Sequence, residues 1–347
     1  MAVQWEVSEM KVETSPGDHL RDSLFANGKM QVPVIVSIEA INPANNAVYK
    51  LSAAQLATIK LVDYYNPTSH LSTPWTYSAV ENEFHHVLPA IASAGSESET
   101  PQTRVDYQKK TWWVSTSRVE HKNIGASIQA PKGIYHTGGG SGHSDSHVTI
   151  TGIAAIHYNM SNVQFVREDT KNGNVISGPF KFDQDNYYLS STKYRFQKVD
   201  VRGQFFNPTN DPPIERCYLR VSRVKSGTEQ SHLHYLWPMG SQQTKQAGNK
   251  NARADITINQ RQGALCLTRF TLEGKGRLYP DGGGWYTNQF TIYDQYGNSG
   301  NFQAGHDGSS NLITMSAVNA LADEGLASSE AFTPFSPEEA ASIDAGN

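Results

Sequence analysis

An all-β protein of two β-sandwich-like domains with a short C-terminal helix or tail is the fold class this sequence predicts, and three observations predict it. Apolar residues alternating with polar ones recur in strand-length stretches along most of the chain. Asn-Gly, Asn-Pro, Asp-Pro-Pro and glycine-rich turns separate them, a pattern of sandwiches or barrels rather than of βαβ units. Finally, 347 residues exceed the size at which one hydrophobic core usually stops growing, so two cores are expected.

The elements follow in order. Residues 1–29 are polar and read as an irregular N-terminal segment ending in the turn dipeptide Asn27-Gly28. A first domain is expected over residues 30–160. It opens with a strand from Met30 to Ile41, where Val32, Val34, Val36 and Ile38 keep a period of two, and Pro33 marks an edge or first position. Leu51 to Ile59 alone has early helical spacing, and Ile59 to Tyr65 returns to a strand. The Ser/Glu/Ala-rich stretch from Ile91 to Thr103 reads as an exposed loop open to proteolysis. Thr111 to Val119 is a strand by β propensity, residues 123–135 a hairpin, and His147 to Tyr158 the longest apolar strand candidate.

A second domain is expected over residues 161–311. Its strands are predicted at Val163–Glu168, Tyr187–Leu189, Tyr194–Phe206, Cys217–Val224, His232–Leu236, Asp255–Asn259, Leu265–Leu272 and Phe290–Tyr293. Each half carries an apolar strand ending in Asn-Pro, Ile38 to Pro43 and Val201 to Pro208, which raises a duplicated sandwich as one reading. Residues 312–347 turn Ala-rich and acidic, with helical character from Leu312 to Leu326 and a loose tail around Pro334 and Pro337.

Composition narrows function by exclusion. A formal net charge of -4 gives no general attraction to nucleic acid or acidic lipid. The first residues lack the basic flank and apolar run of a secretory signal, and no window is apolar enough to cross a bilayer as a helix. Cytoplasmic synthesis is expected, with release by lysis or a dedicated export route if the protein acts outside the cell. Cys217 and Cys266 are too few for a disulfide framework and lie in apolar contexts, so both are expected reduced and buried.

The sharpest chemical feature is His143-Ser-Asp145-Ser-His147, which in extended backbone projects His143, Asp145 and His147 to one face. That set suits zinc or copper, with His136 or water as a fourth ligand. The segment opens in a Gly-rich loop, however, where His, Ser and Asp collect by composition alone. His232-Leu-His234 repeats the alternating geometry, and His85-His86 adds two imidazoles; ordinary hydrogen-bonded histidines explain these more simply. Residues 294–300 read as a β-turn rather than a calcium loop, because no terminal bidentate acid follows at EF-hand spacing. Residues 281–285 read as a glycine-rich loop that lacks the Lys-Ser/Thr of a phosphate cradle. Gly138 to Gly142 matches Gly-x-Ser-x-Gly but is followed by a strand, whereas a nucleophile elbow needs a helix there.

Five tryptophans, Trp75, Trp112, Trp113, Trp237 and Trp285, adjoin polar turns and are candidates for stacking on sugars or anchoring at an interface, weighed against simple core packing. The leading expectation is therefore a non-enzymatic binding or effector protein engaging a glycan, a receptor protein or a membrane lipid, a bacterial or insecticidal toxin being one form. In that form Val105 to Tyr158 would rearrange into a membrane-inserted hairpin. A self-assembling structural protein, homo-oligomeric through its sheet edges or tail, is the first alternative. A metal-dependent enzyme built on His143, Asp145 and His147 is the second.

Overall fold

The computed structural model describes residues 4–16, 18–89, 107–138, 145–279, 282–319 and 333–334. Nearly every regular element in them is a strand. No helix among these residues is long and apolar enough to cross a membrane. The chain forms two compact units: residues 1–156 with 296–298, and residues 157–295 with 299–347.

The first unit is a sandwich. One sheet, in the order β1 (Glu6–Thr14), β3 (Val32–Ile41), β6 (Gln108–Thr116), β5 (Trp75–Ser78), is antiparallel throughout. The other runs β2 (Arg21–Phe25), β9 (Val148–Ile153), β7 (His121–Ala130), β4 (Lys60–Asp63), with β8 (Gly133–His136) also paired to β7. β1 contacts β7 and β9, and β2 contacts β3 and β6, which brings the two sheets face to face. Met10, Val12, Val34, Val36, Ile124 and Ile150 are buried between them. α1 (Ala53–Leu56) is a single turn closed by a capping box: the Ser52 hydroxyl accepts from the Gln55 amide while the Gln55 side chain accepts from the Ser52 amide.

Two sequence expectations change here. Residues 6–14 and 21–25, expected to be irregular, are β1 and β2. β1 is legible only as a weak alternation, Met10, Val12 and Thr14 inward against Glu9, Lys11 and Glu13, and a register shift between Val7 and Glu9 breaks the period. β3 is interior rather than an edge; Pro33 is tolerated because it lies beyond Val34, the last β3 residue that β1 pairs.

The second unit is built on a seven-stranded sheet. Its order is β10 (Val163–Asn174), β11 (Phe180–Ser191), β17 (Leu265–Lys275), β14 (Thr228–Leu236), β13 (Cys217–Lys225), β18 (Gly282–Trp285), β22 (Thr333–Pro334). A second sheet runs β12 (Phe196–Val201), β19 (Asn288–Asp294), β20 (Ser299–His306), β21 (Ile313–Ala317). The hairpin β15 (Gln243–Asn249) and β16 (Ala252–Ile258) stands apart in pairing and packs onto β10, β11 and β17.

Alternation explains the layering. On β16, Ala252, Ala254, Ile256 and Ile258 are buried while Arg253, Asp255 and Thr257 are not. They join Phe182, Tyr188, Phe270, Tyr235 and Trp237 in one apolar cluster. The opposite face carries Asp185, Arg269, His232 and His234, and Arg269 Nε donates to the Asn311 carbonyl of the β20–β21 connection at 2.9 Å. Both thiols, Cys217 and Cys266, are free and buried.

The stretch from Ile313 to Ala317, expected to be helical, is strand β21, because it pairs residue by residue with His306 to Phe302. The rest of that expected helix, 320–326, lies outside the described residues. Gly282–Trp285, expected as a loop, is β18. The two units differ in sheet order and strand number, so the shared Asn-Pro endings carry no duplicated architecture.

Candidate functional site

The second unit presents a groove where three connections meet: the start of β12, the β14–β15 loop and the β16–β17 turn. One half encloses about 480 Å³ and is lined by Phe196, Met239, Ser241, Gln242, Asn259 and Gln262 among others. The other encloses about 470 Å³ and includes Lys198, Asp200, Val201, Arg216 and Pro238. Gln197 and Met239 belong to both halves.

Local chemistry holds these walls in place. Asn259 takes φ 57°, a conformation asparagine tolerates better than most residues, and so turns the chain out of β16. Its Nδ2 donates to the Pro238 carbonyl at 3.0 Å, tying the β14–β15 loop to the turn. Its Oδ1 is buried and has no hydrogen-bond partner among the described residues. The Gln260 Oε1 accepts from Asn186 Nδ2 at 3.1 Å and from Tyr188 OH at 3.3 Å, so the turn is also anchored to β11. Gly263 accepts the Phe196 amide at 3.0 Å with φ 76°; a Cβ there would meet Arg195 Cβ at 2.8 Å. Phe196 packs edge-on against Tyr158, whose hydroxyl donates to the buried Asp294 at 2.7 Å. Burial and that carboxylate together hold the Tyr158 phenol protonated far above its ordinary range.

The groove offers hydrogen-bonding and apolar surface. Amides and a hydroxyl line one half; the other adds one carboxylate and two cations. Among the described residues no histidine, cysteine or glutamate lines either half, and Asp200 is the one carboxylate. The arrangement supplies hydrogen bonds and apolar contact from Phe196 and Met239, the composition of a polar-ligand site. Sequence reasoning missed it. The only signals are two turn segments rich in uncharged polar residues, Gly240 to Gln243 and Asn259 to Gly263, and nothing in the sequence joins them.

The residues singled out from the sequence do not converge. Trp75 is buried and donates from Nε1 to Glu120 at 2.7 Å; Trp237 is buried, stacked on Tyr235, and donates to Thr268 at 2.8 Å. Trp112 is buried edge-on against Tyr77, while Trp113 is half-buried against the His86 ring. Trp285 is half-buried against His306. His143 lies outside the described residues, as do the Gly139–Gly142 part of the Gly-x-Ser-x-Gly match and the 91–103 loop. Asp145 accepts from Tyr64 OH at 2.5 Å, and the His147 ring lies 4.2 Å from the Tyr64 ring. Among the described residues no three His, Cys, Asp or Glu side chains are grouped to hold a metal.

Three further histidines of the sequence-predicted pairs, His86, His232 and His234, are enclosed or already engaged. His86 bonds the Gln31 carbonyl at 2.9 Å and lies 2.9 Å from Glu81. His232 and His234 point into the second unit beside Arg269. Burial lowers the His232 pKa to about 4, and burial pushes His234 well below its ordinary value. Arg269 Nη1 reaches Asp183 at 2.6 Å and Asp185 at 3.0 Å, and Arg167 reaches Asp185 at 2.8 Å. Even so, burial outweighs both guanidinium groups and leaves the Asp185 pKa raised.

No protein-family profile matches this chain, and no curated protein does. Solved structures do. The C-terminal domain of the Streptococcus agalactiae AgI/II polypeptide BspA is 13% identical, covering 84% of this chain and 97% of that one, at TM-score 0.19. The C-terminal domain of the Streptococcus pyogenes antigen I/II-family protein AspA is 10% identical, covering 82% and 95%, at 0.20. CfaE, the adhesive subunit of the CFA/I fimbria of enterotoxigenic Escherichia coli, is 10% identical, covering 89% and 87%, at 0.21. At these TM-scores the likeness carries no argument about what this chain does.

Proposed function

We propose that this chain is a non-enzymatic binding protein and that its ligand is a glycan held in the groove between β12, the β14–β15 loop and the β16–β17 turn. One observation carries the reading: the groove pairs apolar surface from Phe196 and Met239 with unused hydrogen-bonding capacity. Gln242 and Gln262 make no hydrogen bond to any described residue, and Asn259 keeps a buried acceptor without a partner. The Gln242 and Gln262 amides are exposed, so a ligand's hydroxyls can pair with them. Sugars supply such hydroxyls together with apolar ring faces.

A membrane hairpin drawn from Val105 to Tyr158 fits less well. β6, β7 and β9 place Trp112, Val114, Ile124 and Ile150 in the core of the first unit, and insertion would strip that core. An enzyme built on His143, Asp145 and His147 draws no support from Asp145, which already serves Tyr64.

The test is titration of the isotope-labelled full chain with cellotetraose, chitotetraose and the methyl ester of tetragalacturonate, read on side-chain amide resonances. The expected result is saturable shifts at Gln242, Gln260 and Gln262 with at least one sugar, lost in the Gln242→Ala/Gln262→Ala double variant. Shifts elsewhere, or none with any of the three, would refute the groove as the binding site.

A further inference from the structure

Arg216 differs from the other charges in the groove. Lys198 and Asp200 lie on one strand with Nζ and Oδ1 3.8 Å apart, so each offsets the other. The Arg216 guanidinium makes no ion pair and no hydrogen bond to any described residue. It is nevertheless held in place. Its Cζ lies 5.2 Å from the Phe205 ring centroid, an attraction that fixes the planar group without neutralising it. Its backbone is equally constrained: φ is 65°, a strained setting for arginine, and its carbonyl accepts the Leu236 amide at 3.1 Å.

The 3-10 turn over Pro212–Ile214, closed by Glu215, delivers Arg216 into this position immediately before β13 begins at Cys217. The result is a half-buried cation, restrained at both backbone and side chain, on the wall of an open groove and without a counter-ion. A guanidinium kept free in this way is suited to a planar, two-oxygen anion, which it meets with two parallel hydrogen bonds.

We propose that Arg216 forms an anion subsite and that the glycan is acidic, carrying a uronic carboxylate or a sulfate ester at the end of the groove remote from Gln242 and Gln262. This rests on the glycan reading above. Gln197 and Met239 line both halves, so the two are adjacent, and an oligosaccharide laid across them would place neutral hydroxyls on the amides and its anion on Arg216.

The probes are tetragalacturonate, its methyl ester and sulfated neocarratetraose, titrated calorimetrically into the full chain and into Arg216→Gln and Arg216→Lys. Both variants keep a Cβ at the same backbone setting, and their thermal midpoints report whether they fold. Tetragalacturonate or the sulfated sugar is expected to bind the native chain about tenfold tighter than the ester, the scale of one charge-assisted contact. Arg216→Gln should abolish that preference by bringing the acid's affinity down to the ester's in the same variant, Arg216→Lys should retain part of it, and added salt should shrink it. Which acidic sugar shows the preference identifies the anion.

Equal affinity for acid and ester, or an acid preference that survives Arg216→Gln, would overturn the subsite. Ester binding that shifts the Gln242 and Gln262 amides without any acid preference leaves the glycan groove standing and removes only the anion. Failure of all three sugars removes the acidic glycan, and removes the glycan groove as well when cellotetraose and chitotetraose also leave the Gln242 and Gln262 amides unshifted.

Discussion

Asn259 donates from Nδ2 to the Pro238 carbonyl at 3.0 Å while its Oδ1 stays buried and unpartnered, so one residue both closes the turn and leaves an acceptor beside the groove. Its φ of 57° separates two contributions. Asn259→Gly and Asn259→Ala lose the same hydrogen bond and the same orphaned oxygen, but only alanine strains the backbone. The glycine variant is expected to be more stable than the alanine variant by about 1 kcal/mol in urea unfolding. Equal stabilities would mean that the turn relaxes out of the left-handed conformation.

Acid should weaken the second unit. His232 has a folded pKa of about 4, depressed by burial, against about 6.5 in an unfolded chain. The unfolded state therefore binds more protons between these values. The stability at stake is complete above about pH 6.5 and is lost progressively as pH falls toward 4, by about 3 kcal/mol from His232 alone. His234, depressed in the same direction, adds to the loss. Urea unfolding at stepped pH should show this slope, and His232→Gln should flatten it.

The first unit carries a group of opposite sense. Burial raises Asp22 to about 6 from 3.8, against hydrogen bonds from the Ser23 amide and the Thr14 hydroxyl. Its contribution is fully present below pH 3.8 and is lost as pH rises through about 6. Asp22→Asn should therefore stabilise the chain at pH 7 by about 1–3 kcal/mol and do little at pH 4. A pH-independent effect would show that Asp22 is ionised and solvated in the native state.

Glu229 is a fully buried carboxylate that accepts from Ser222 and Ser231, both at 2.7 Å, and from the backbone amides of Leu278 and Tyr279. It fixes the connection after β17 to the start of β14. Glu229→Ala strands several donors at once and is expected to cost about 3–5 kcal/mol, measured by chemical unfolding. Hydrogen exchange at the Leu278 and Tyr279 amides should accelerate first. Unchanged exchange there would remove Glu229 as the anchor.

β3 is readable because its alternation is strong, at Val32, Val34, Val36 and Ile38, and β17 because Leu265 to Leu272 is a strand-length, largely apolar run buried on both faces. β1 and β15 are not, since their inward residues are few and small or interrupted by a register shift, as at Val7/Glu9 and at Ala247-Gly248. The site was illegible for a different reason. Arg216, Met239 and Asn259 come from three separate connections, and only pairings between distant strands bring them together. His232 and His234 share a face as their spacing implies, but β14 is buried on both faces from Ser231 to Leu236, so they belong to the enclosed polar layer beside Arg269 and not to a metal site.

Arg269 is the hinge of the polar layer opposite that core. It is itself buried, pairs with Asp183 and the buried Asp185, and donates to Asn311 on the connection that covers the sheet. Because Asp185 is already destabilised by burial, removing the cation leaves a charge with only Arg167 beside it. Arg269→Met is expected to cost about 3–5 kcal/mol, while Arg269→Met with Asp185→Leu should recover most of that loss, since a buried pair often exchanges for apolar residues at little net cost. A double-mutant cycle in urea measures the coupling. If the two losses simply add, Asp185 draws its support from Arg167, and the Arg269 loss belongs to the Asn311 and Asp183 contacts.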